Sequence, residues 1–160
     1  MLRKLLAAAA VLTVPTTLLL AGSGAAAASA VPAASTGPAV CSTTAVIQIT
    51  AFAFSPPQVT RGQSATANLT ALNCTGATQQ TNETWYGRFI GPGPGIPPGC
   101  PVIDPLLRPV TFAPHAQVTT STSYLVFSGC TATQLAITVN ITGSTGALLA
   151  QRTAYLTILP

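Results

Sequence analysis

The chain has 160 residues, of which 48% are hydrophobic and only 5% are charged, and its formal net charge is +4. Two of its six basic residues, Arg3 and Lys4, precede an apolar N-terminal run, which leaves four Arg against two carboxylates, a net charge of +2. Proteins that bind nucleic acid cluster many Lys and Arg on one face to neutralise phosphates. Four scattered Arg therefore exclude DNA or RNA as the expected partner.

The first thirty residues have the pattern of a secretion signal. An apolar run spans residues 5–20, and the triplet Ala28 to Ala30 forms an Ala-x-Ala cleavage pattern. Pro15 and three Thr interrupt the run, which falls short of the ~20 apolar residues that a membrane-spanning helix needs. We therefore predict a signal peptide at residues 1–30, a secreted, extracellular protein and no integral membrane segment in the mature form.

The remainder is predicted to form a leader and one folded domain. Residues 31–40 combine Pro, Gly and small side chains, which is typical of a flexible leader. The domain is expected at residues 41–160, a length that suits a single core. An even number of Cys in an oxidising compartment predicts two disulfides. The four residues concerned are Cys41, Cys74, Cys100 and Cys130.

Alternation of apolar and polar residues predicts an all-β domain. The alternation recurs between Gly, Pro and Asn, and no stretch sustains a helical period. In chain order, strands are expected at residues 44–54, 58–60 (a short extension), 64–73, 83–90, 109–113, 119–127, 134–142 and 147–159. About seven main strands with short connections favour an antiparallel β-sandwich.

The alternation also predicts which side chains face the core. Trp85 and Phe89 are expected to point inward, with Trp85 as the central aromatic residue, which leaves Tyr86 and Arg88 on the outer face. A slip of one residue would exchange the two faces of a strand, so the register is well specified. The other predicted core positions are Ala65, Ala67, Leu69, Ala71, Leu135, Ile137, Val139 and Ile141.

The strand order predicts how the cysteines pair. If consecutive strands run up and down in alternate sheets, Cys41 and Cys74 lie at one end of the sandwich. Cys100 and Cys130 then lie at the other end. We therefore predict the disulfides Cys41–Cys74 and Cys100–Cys130.

Three features follow one another in the first part of the domain: a Pro-Pro turn at residues 56–57, an Arg-Gly turn at residues 61–62, and a strand rich in Ala, Thr and Asn that ends at Cys74. In this succession the chain resembles the immunoglobulin-like modules of secreted bacterial proteins. The Ala-rich signal and the use of Arg over Lys are similar to those of high-GC actinobacteria. The resemblance spans residues 41–160 and implies an immunoglobulin-like sandwich without a particular activity, because this fold carries many functions.

No catalytic or metal-binding constellation stands out in the sequence. His115 is the only His and Met1 the only Met, so a blue-copper site lacks its ligands. Glu83 and Asp104, the only carboxylates after the signal, are expected near loop ends and far apart, which disfavours a glycosidase pair or a calcium site. His115, next to Pro114, is expected in an exposed turn. We predict a protein that is not an enzyme and has no metal and no cofactor.

Residues 91–101 form an unusual segment in which five Pro alternate with Gly. Proline fixes φ and lowers the entropy lost on binding, so a rigid loop anchored by Cys100 would present Ile96 to a partner, with Pro94 and Pro97 beside it. A plain connection between the two sheets explains the same composition. The outward Tyr86 and Arg88 are further candidate contacts, and Tyr155 is a weaker one.

These features favour a non-catalytic secreted binding module for a protein, glycan or small molecule at the cell exterior. One alternative is a small-molecule carrier similar to the enediyne-chromophore apoproteins of the neocarzinostatin type, which are secreted actinobacterial sandwiches with two disulfides. Those proteins close short loops, whereas successive Cys here are at least 26 residues apart. The other alternative is a secreted protease inhibitor that uses residues 91–101 as its loop.

Overall fold

The computed structural model of the protein describes residues 40–160. The predicted signal peptide at residues 1–30, and the predicted leader at 31–40 except for Val40, lie outside the described residues. Residues 40–160 contain eight strands and no helix. Residues 40–160 therefore include no helix that is long and apolar enough to cross a membrane.

The strands form two sheets that pack as an immunoglobulin-like sandwich, which confirms the predicted fold class. One sheet has three strands in the order β1-β3-β6, and the other has five in the order β2-β8-β7-β4-β5. The strand bounds are β1 (Ile47–Ser55), β2 (Gln58–Thr60), β3 (Ser64–Asn73), β4 (Gln79–Ile90), β5 (Leu106–Phe112), β6 (Gln117–Leu125), β7 (Gln134–Gly143) and β8 (Leu148–Leu159).

Two features of the arrangement differ from the prediction. The short extension is a strand of its own, β2, and it pairs with β8 in parallel while every other pair is antiparallel. Consecutive strands also do not alternate strictly between sheets, because the pairs β4–β5 and β7–β8 are neighbours in one sheet.

The hairpin between β7 and β8 is closed by Gly146, whose backbone N–H donates to the carbonyl of Gly143 at 2.9 Å.

Strand β4 begins at Gln79, four residues before the predicted start. Its first residues are polar and show no apolar alternation, but they pair on both sides, Gln79 with Phe112 of β5 and Thr81 with Gly143 of β7. Pairing with neighbours therefore extends the strand where local sequence does not. Strand β5 contains Pro109, which is tolerated because β5 is the edge of its sheet.

The predicted inward faces are confirmed. The four apolar residues of β7 are all 0% exposed, and Trp85 of β4 is 1% exposed. The rings of Phe52 and Trp85 meet edge to face across the two sheets, with centroids 5.5 Å apart and planes at 89°. Such aromatic pairs stabilise a core beyond the area that they bury.

Glu83 does not lie near a loop end as predicted. It is the fifth residue of β4 and is 1% exposed, and its Oε2 accepts hydrogen bonds from Trp85 Nε1 at 3.0 Å and from Thr120 Oγ1 at 2.8 Å. The opposite residue on β5, Arg108, lies 5.4 Å from the Trp85 ring centroid and donates to Thr122 Oγ1 at 3.0 Å. Thr120 and Thr122 belong to β6, so these polar contacts connect the two sheets.

Both predicted disulfides are present, Cys41–Cys74 and Cys100–Cys130. Cys74 directly follows the end of β3, whereas Cys130 follows β6, whose last residue pairs with the first residue of β3. The two disulfides therefore lie at opposite ends of the sandwich.

Candidate functional site

Strand β4 extends beyond its neighbour β5 and leaves one edge to a loop. The pairing with β5 ends at Trp85, whereas the pairing with β7 continues to Ile90. The segment that follows β4 covers part of this edge. A Cβ on Gly87 would come within 2.7 Å of side-chain carbons of Ile103, so the absence of a side chain at Gly87 is what lets Ile103 pack there.

The loop after β4 is fastened to the loop between β6 and β7. The disulfide from Cys100 to Cys130 joins them covalently. Next to it, the carbonyl of Pro98 accepts hydrogen bonds from the backbone N–H of Thr131 at 3.0 Å and from its hydroxyl at 3.2 Å. Three contacts within a few residues hold this part of the loop in one position.

Of the three predicted contact residues of the loop, two are exposed and one is buried. Ile96 is 57% exposed and Pro94 is also exposed. Pro97 is buried, and its ring packs so closely on Gly91 that a Cβ there would lie 2.9 Å from Pro97 Cγ. Pro97 therefore supports the loop from within, because the turn at this point directs its ring back to the strand end, and only Pro94 and Ile96 are presented.

The two predicted contacts on β4 lie on the outer face of the five-stranded sheet. Tyr86 is 44% exposed and Arg88 is also exposed, whereas Trp85 and Phe89 on the other face are buried. The register places Arg88, Ala136 of β7 and Tyr155 of β8 in one row across three strands. Tyr155 is 59% exposed, so it shares this face.

Two grooves run on either side of Ile96, and Arg88 lines both of them. The first has a volume of about 320 Å³ and lies between the end of β4 and the residues from Gly93 to Ile96. The second, of about 270 Å³, lies between β4 and residues 101–103. The structure thus brings Pro94, Ile96 and Arg88 together, whereas Tyr86 lines neither groove and lies farther along the sheet.

Sequence reasoning missed two apolar residues of the second groove. Val102 is 72% exposed and Ile103 is half-buried against Gly87. Both stand in a segment dominated by Pro, where no strand or helix period reveals a face. The only signal in the sequence was the apolar pair itself between two Pro residues.

The electrostatic character of the site comes from one group. Arg88 is cationic and forms no ion pair within residues 40–160. The site can therefore attract an anionic group. His115 lies in an exposed turn with φ of 54°. Its backbone N–H donates to the backbone carbonyl of Thr75, which is next to the Cys41–Cys74 disulfide. In the part of the chain that the structure covers, no three His, Cys, Asp or Glu side chains are grouped to hold a metal ion.

Comparisons with known proteins found a similarity of fold only. No protein family and no curated protein matches the chain. Among solved structures, it is similar to the Pseudomonas fluorescens alkylpurine DNA glycosylase AlkC bound to DNA with an abasic site analog, with a TM-score of 0.52 and 11% identity over 72% of this chain and 31% of the glycosylase chain. The chain thus spans about a third of that protein.

A Niemann-Pick type C2 protein from the Japanese carpenter ant has a TM-score of 0.44 and 9% identity over 71% of this chain and 93% of the other. The similarity to the glycosylase, at 11% identity, shows only that part of that protein folds in the same way as this sandwich.

Proposed function

We propose that this protein is a non-catalytic binding module that is exported and acts outside the cell. The observation that carries the proposal is that Arg88, a cation without an ion pair among residues 40–160, lines the same two grooves as the exposed apolar side chain of Ile96. The two disulfides are consistent with an oxidising compartment. The predicted signal at residues 1–30 supplies the route of export.

The restrained loop favours binding because it loses little conformational entropy when a partner binds. A flexible loop loses conformational entropy when a partner fixes it, and this cost is subtracted from the affinity. Here the Cys100–Cys130 disulfide and the Pro98–Thr131 hydrogen bonds fix the loop beforehand. A partner therefore meets Ile96 already in position.

The size and charge of the grooves indicate the kind of group that they accept. Pockets for complete small ligands commonly measure about 300–1,000 Å³. One groove, at about 320 Å³, lies at the lower end of this range, and the other, at about 270 Å³, lies just below it. They suit one sugar-sized or side-chain-sized group of a larger ligand. An anionic group would contact Arg88 while an apolar part packs on Ile96.

The ionisable groups of the domain support a non-catalytic role. General acid-base catalysis requires a titratable group within reach of the substrate. Glu83 is buried and already accepts two hydrogen bonds, and His115 lies next to the Cys41–Cys74 end. Arg88, the charged side chain that lines both grooves, has a guanidinium that offers donors only and no acceptor for a substrate proton.

The proposal is tested by screening the exported protein for ligands and comparing matched variants. Purified protein is immobilised and exposed to a panel of extracellular polysaccharides and secreted proteins, with binding recorded by biolayer interferometry. We expect at least one ligand whose binding is lost in Ile96→Asp and in Arg88→Gln. Leu148→Asp is the matched control, because Leu148 is also 57% exposed but lies at the start of β8, near the opposite end.

Either of two results would contradict the proposal. In the first, no ligand in the panel binds; in the second, every ligand found binds the Ile96→Asp and Leu148→Asp variants with the same affinity. In the second case the surface that binds would lie elsewhere on the sandwich.

A small-molecule carrier is a second candidate function, and one observation favours it. The groove of about 270 Å³ lies between a sheet and a loop and is lined mainly by apolar residues, among them Phe89, Val102 and Ile103. A carrier would be isolated with an apolar small molecule that organic solvent extracts and mass spectrometry detects. Val102→Arg, which places a charge in this groove, would abolish that association if the carrier function is correct.

A further inference from the structure

The outer face of the five-stranded sheet has two exposed tyrosines on either side of strand β7. Arg88, Ala136 and Tyr155 form one row across β4, β7 and β8, and Tyr86, Thr138 and Thr153 form the next row. Neighbouring strands are about 4.8 Å apart, so the Cα atoms of Arg88 and Tyr155 are separated by about 10 Å. We refer to these six residues as the tyrosine platform.

The middle of the tyrosine platform consists of small side chains and hydroxyl groups. Ala136 and Thr138 of β7 are the smaller side chains between the two tyrosines, so the platform is shallowest along this strand. The hydroxyls of Thr138 and Thr153 are 2.8 Å apart and form a hydrogen-bonded pair. A ligand placed along β7 would meet an aromatic ring on each side and hydroxyl groups below.

The composition of the platform favours a sugar chain over a protein. Buried centres of protein–protein interfaces are apolar, whereas the platform offers hydroxyl groups and a guanidinium with only two aromatic rings. Aromatic side chains with a polar tip suit ligands that have one apolar and one polar surface. A pyranose ring has such surfaces, since its C–H faces pack on aromatic rings and its hydroxyls form hydrogen bonds.

The charge of the platform selects among sugars. Arg88 is the only charged strand residue that points outward from the described five-stranded sheet, and no carboxylate accompanies it. Of the two carboxylates of the domain, Glu83 is buried between the sheets and Asp104 lies in the loop before β5. Charge complementarity therefore favours a sugar that carries a carboxylate.

We propose that the tyrosine platform binds a chain of acidic sugars, with rings on Tyr86 and Tyr155 and a carboxylate on Arg88. This inference rests on the proposed function and names its ligand class, since Arg88 belongs to both the platform and the grooves. Ile96 and Pro94 border the same end of the sheet and extend the surface beyond Arg88. The ligand is thus a uronic-acid polymer that runs along β7 towards the loop.

The test uses the complete exported protein and a matched pair of polymers, polygalacturonate and its fully methyl-esterified form. Both have the same sugar, but only the first carries carboxylates. Affinities are measured by isothermal titration calorimetry at physiological salt. We expect the protein to prefer polygalacturonate on the order of ten- to a hundredfold, the effect of one hydrogen bond to a charged group.

Variants assign this preference to the platform. Arg88→Gln should remove the preference, and Tyr86→Ala or Tyr155→Ala should each lower the affinity about two- to tenfold through loss of ring packing. Arg152→Gln is the matched control for charge, because Arg152 is exposed and its guanidinium reaches Thr50 of β1 rather than the platform. Circular dichroism and thermal melting confirm that each variant is folded.

Each other result overturns the inference in a distinguishable way. Equal affinity for both polymers would mean that the carboxylate is not recognised. Equal losses in Arg88→Gln and Arg152→Gln would mean general attraction of charge rather than a site. Absence of polygalacturonate binding, together with another ligand that is lost in Ile96→Asp, would reject the acidic-sugar class and leave the proposed function intact. Absence of any ligand would reject both.

Discussion

The Cys100–Cys130 disulfide should contribute to stability and to the binding site, whereas Cys41–Cys74 should contribute to stability alone. The perturbation is replacement of both Cys of one pair by Ala, in two separate double variants. A disulfide stabilises mainly by limiting the entropy of the unfolded chain, and the effect grows with the length of the closed loop. The two loops are almost equal, with sequence separations of 30 and 33 residues.

The expected magnitude follows from these lengths. The loop-closure relation gives about 3.6 kcal/mol at 25 °C for Cys100–Cys130 and about 3.7 kcal/mol for Cys41–Cys74. Each double variant should therefore lose nearly the same free energy of unfolding, measured by urea denaturation. Each loss is a large part of the total stability of a domain, which is about 5–15 kcal/mol.

The two variants should differ locally. Without Cys100–Cys130, the loop is held to its neighbour mainly by the bonds from Thr131 to Pro98, so the amide of Thr131 should exchange its hydrogen much faster. Ligands that depend on Ile96 should also bind more weakly, because the loop must then be ordered on binding. Loss of Cys41–Cys74 should leave both properties unchanged.

Two results would refute this reasoning. If the free energies of unfolding of the double variants differ by more than about 1.5 kcal/mol, chain entropy is not the main source of the stabilisation. If the Thr131 amide exchanges as slowly without Cys100–Cys130 as with it, the loop is held by its own packing, and the disulfide is not what preorganises the site.

Three further predictions concern individual residues. Thr120→Val removes one of the two donors to the buried Glu83 carboxylate and should lower the free energy of unfolding by about 1–3 kcal/mol in urea titration. Gly99→Ala should lower the melting temperature, because φ is +71° there and a Cβ would overlap a backbone carbonyl, whereas Gly93→Ala, which meets nothing within 4 Å, should not. Burial raises the pKa of Tyr124 from 10.0 to about 12, so its contribution to stability is complete below pH 10 and is lost as the pH rises to about 12. Urea titrations across that range should show a smaller decrease for Tyr124→Phe, and an equal decrease would contradict the assignment.

Local alternation was sufficient for several elements of the fold. Strand β3 has the predicted bounds, and β7 extends one residue beyond them, because buried apolar residues recur at every second position over most of each strand. The same alternation assigned Trp85 and Phe89 to the core and Tyr86 and Arg88 to the outer face. Such assignments need only the geometry of one strand, in which successive side chains point to opposite faces.

Other features depend on partners that are distant in sequence. The polar start of β4 is a strand only because β5 and β7 pair with it, and Glu83 is buried only because β6 supplies Thr120. Pro97 was expected at the surface, but the direction of its ring depends on how the loop returns to Gly91. No local pattern reports these contacts.

Local sequence therefore sufficed to predict that the domain is all-β, which faces of β3, β4 and β7 are buried and, from the expected strand directions, the cysteine pairing that the structure shows. Those properties follow from side-chain alternation and from the positions of Cys relative to strand ends. The row of Arg88 and Tyr155 depends on strand order and register between segments far apart in the chain, and the position of Ile96 beside Arg88 depends on how the loop after β4 folds back. The candidate binding surface is made of such proximities, which is why it became apparent only in three dimensions.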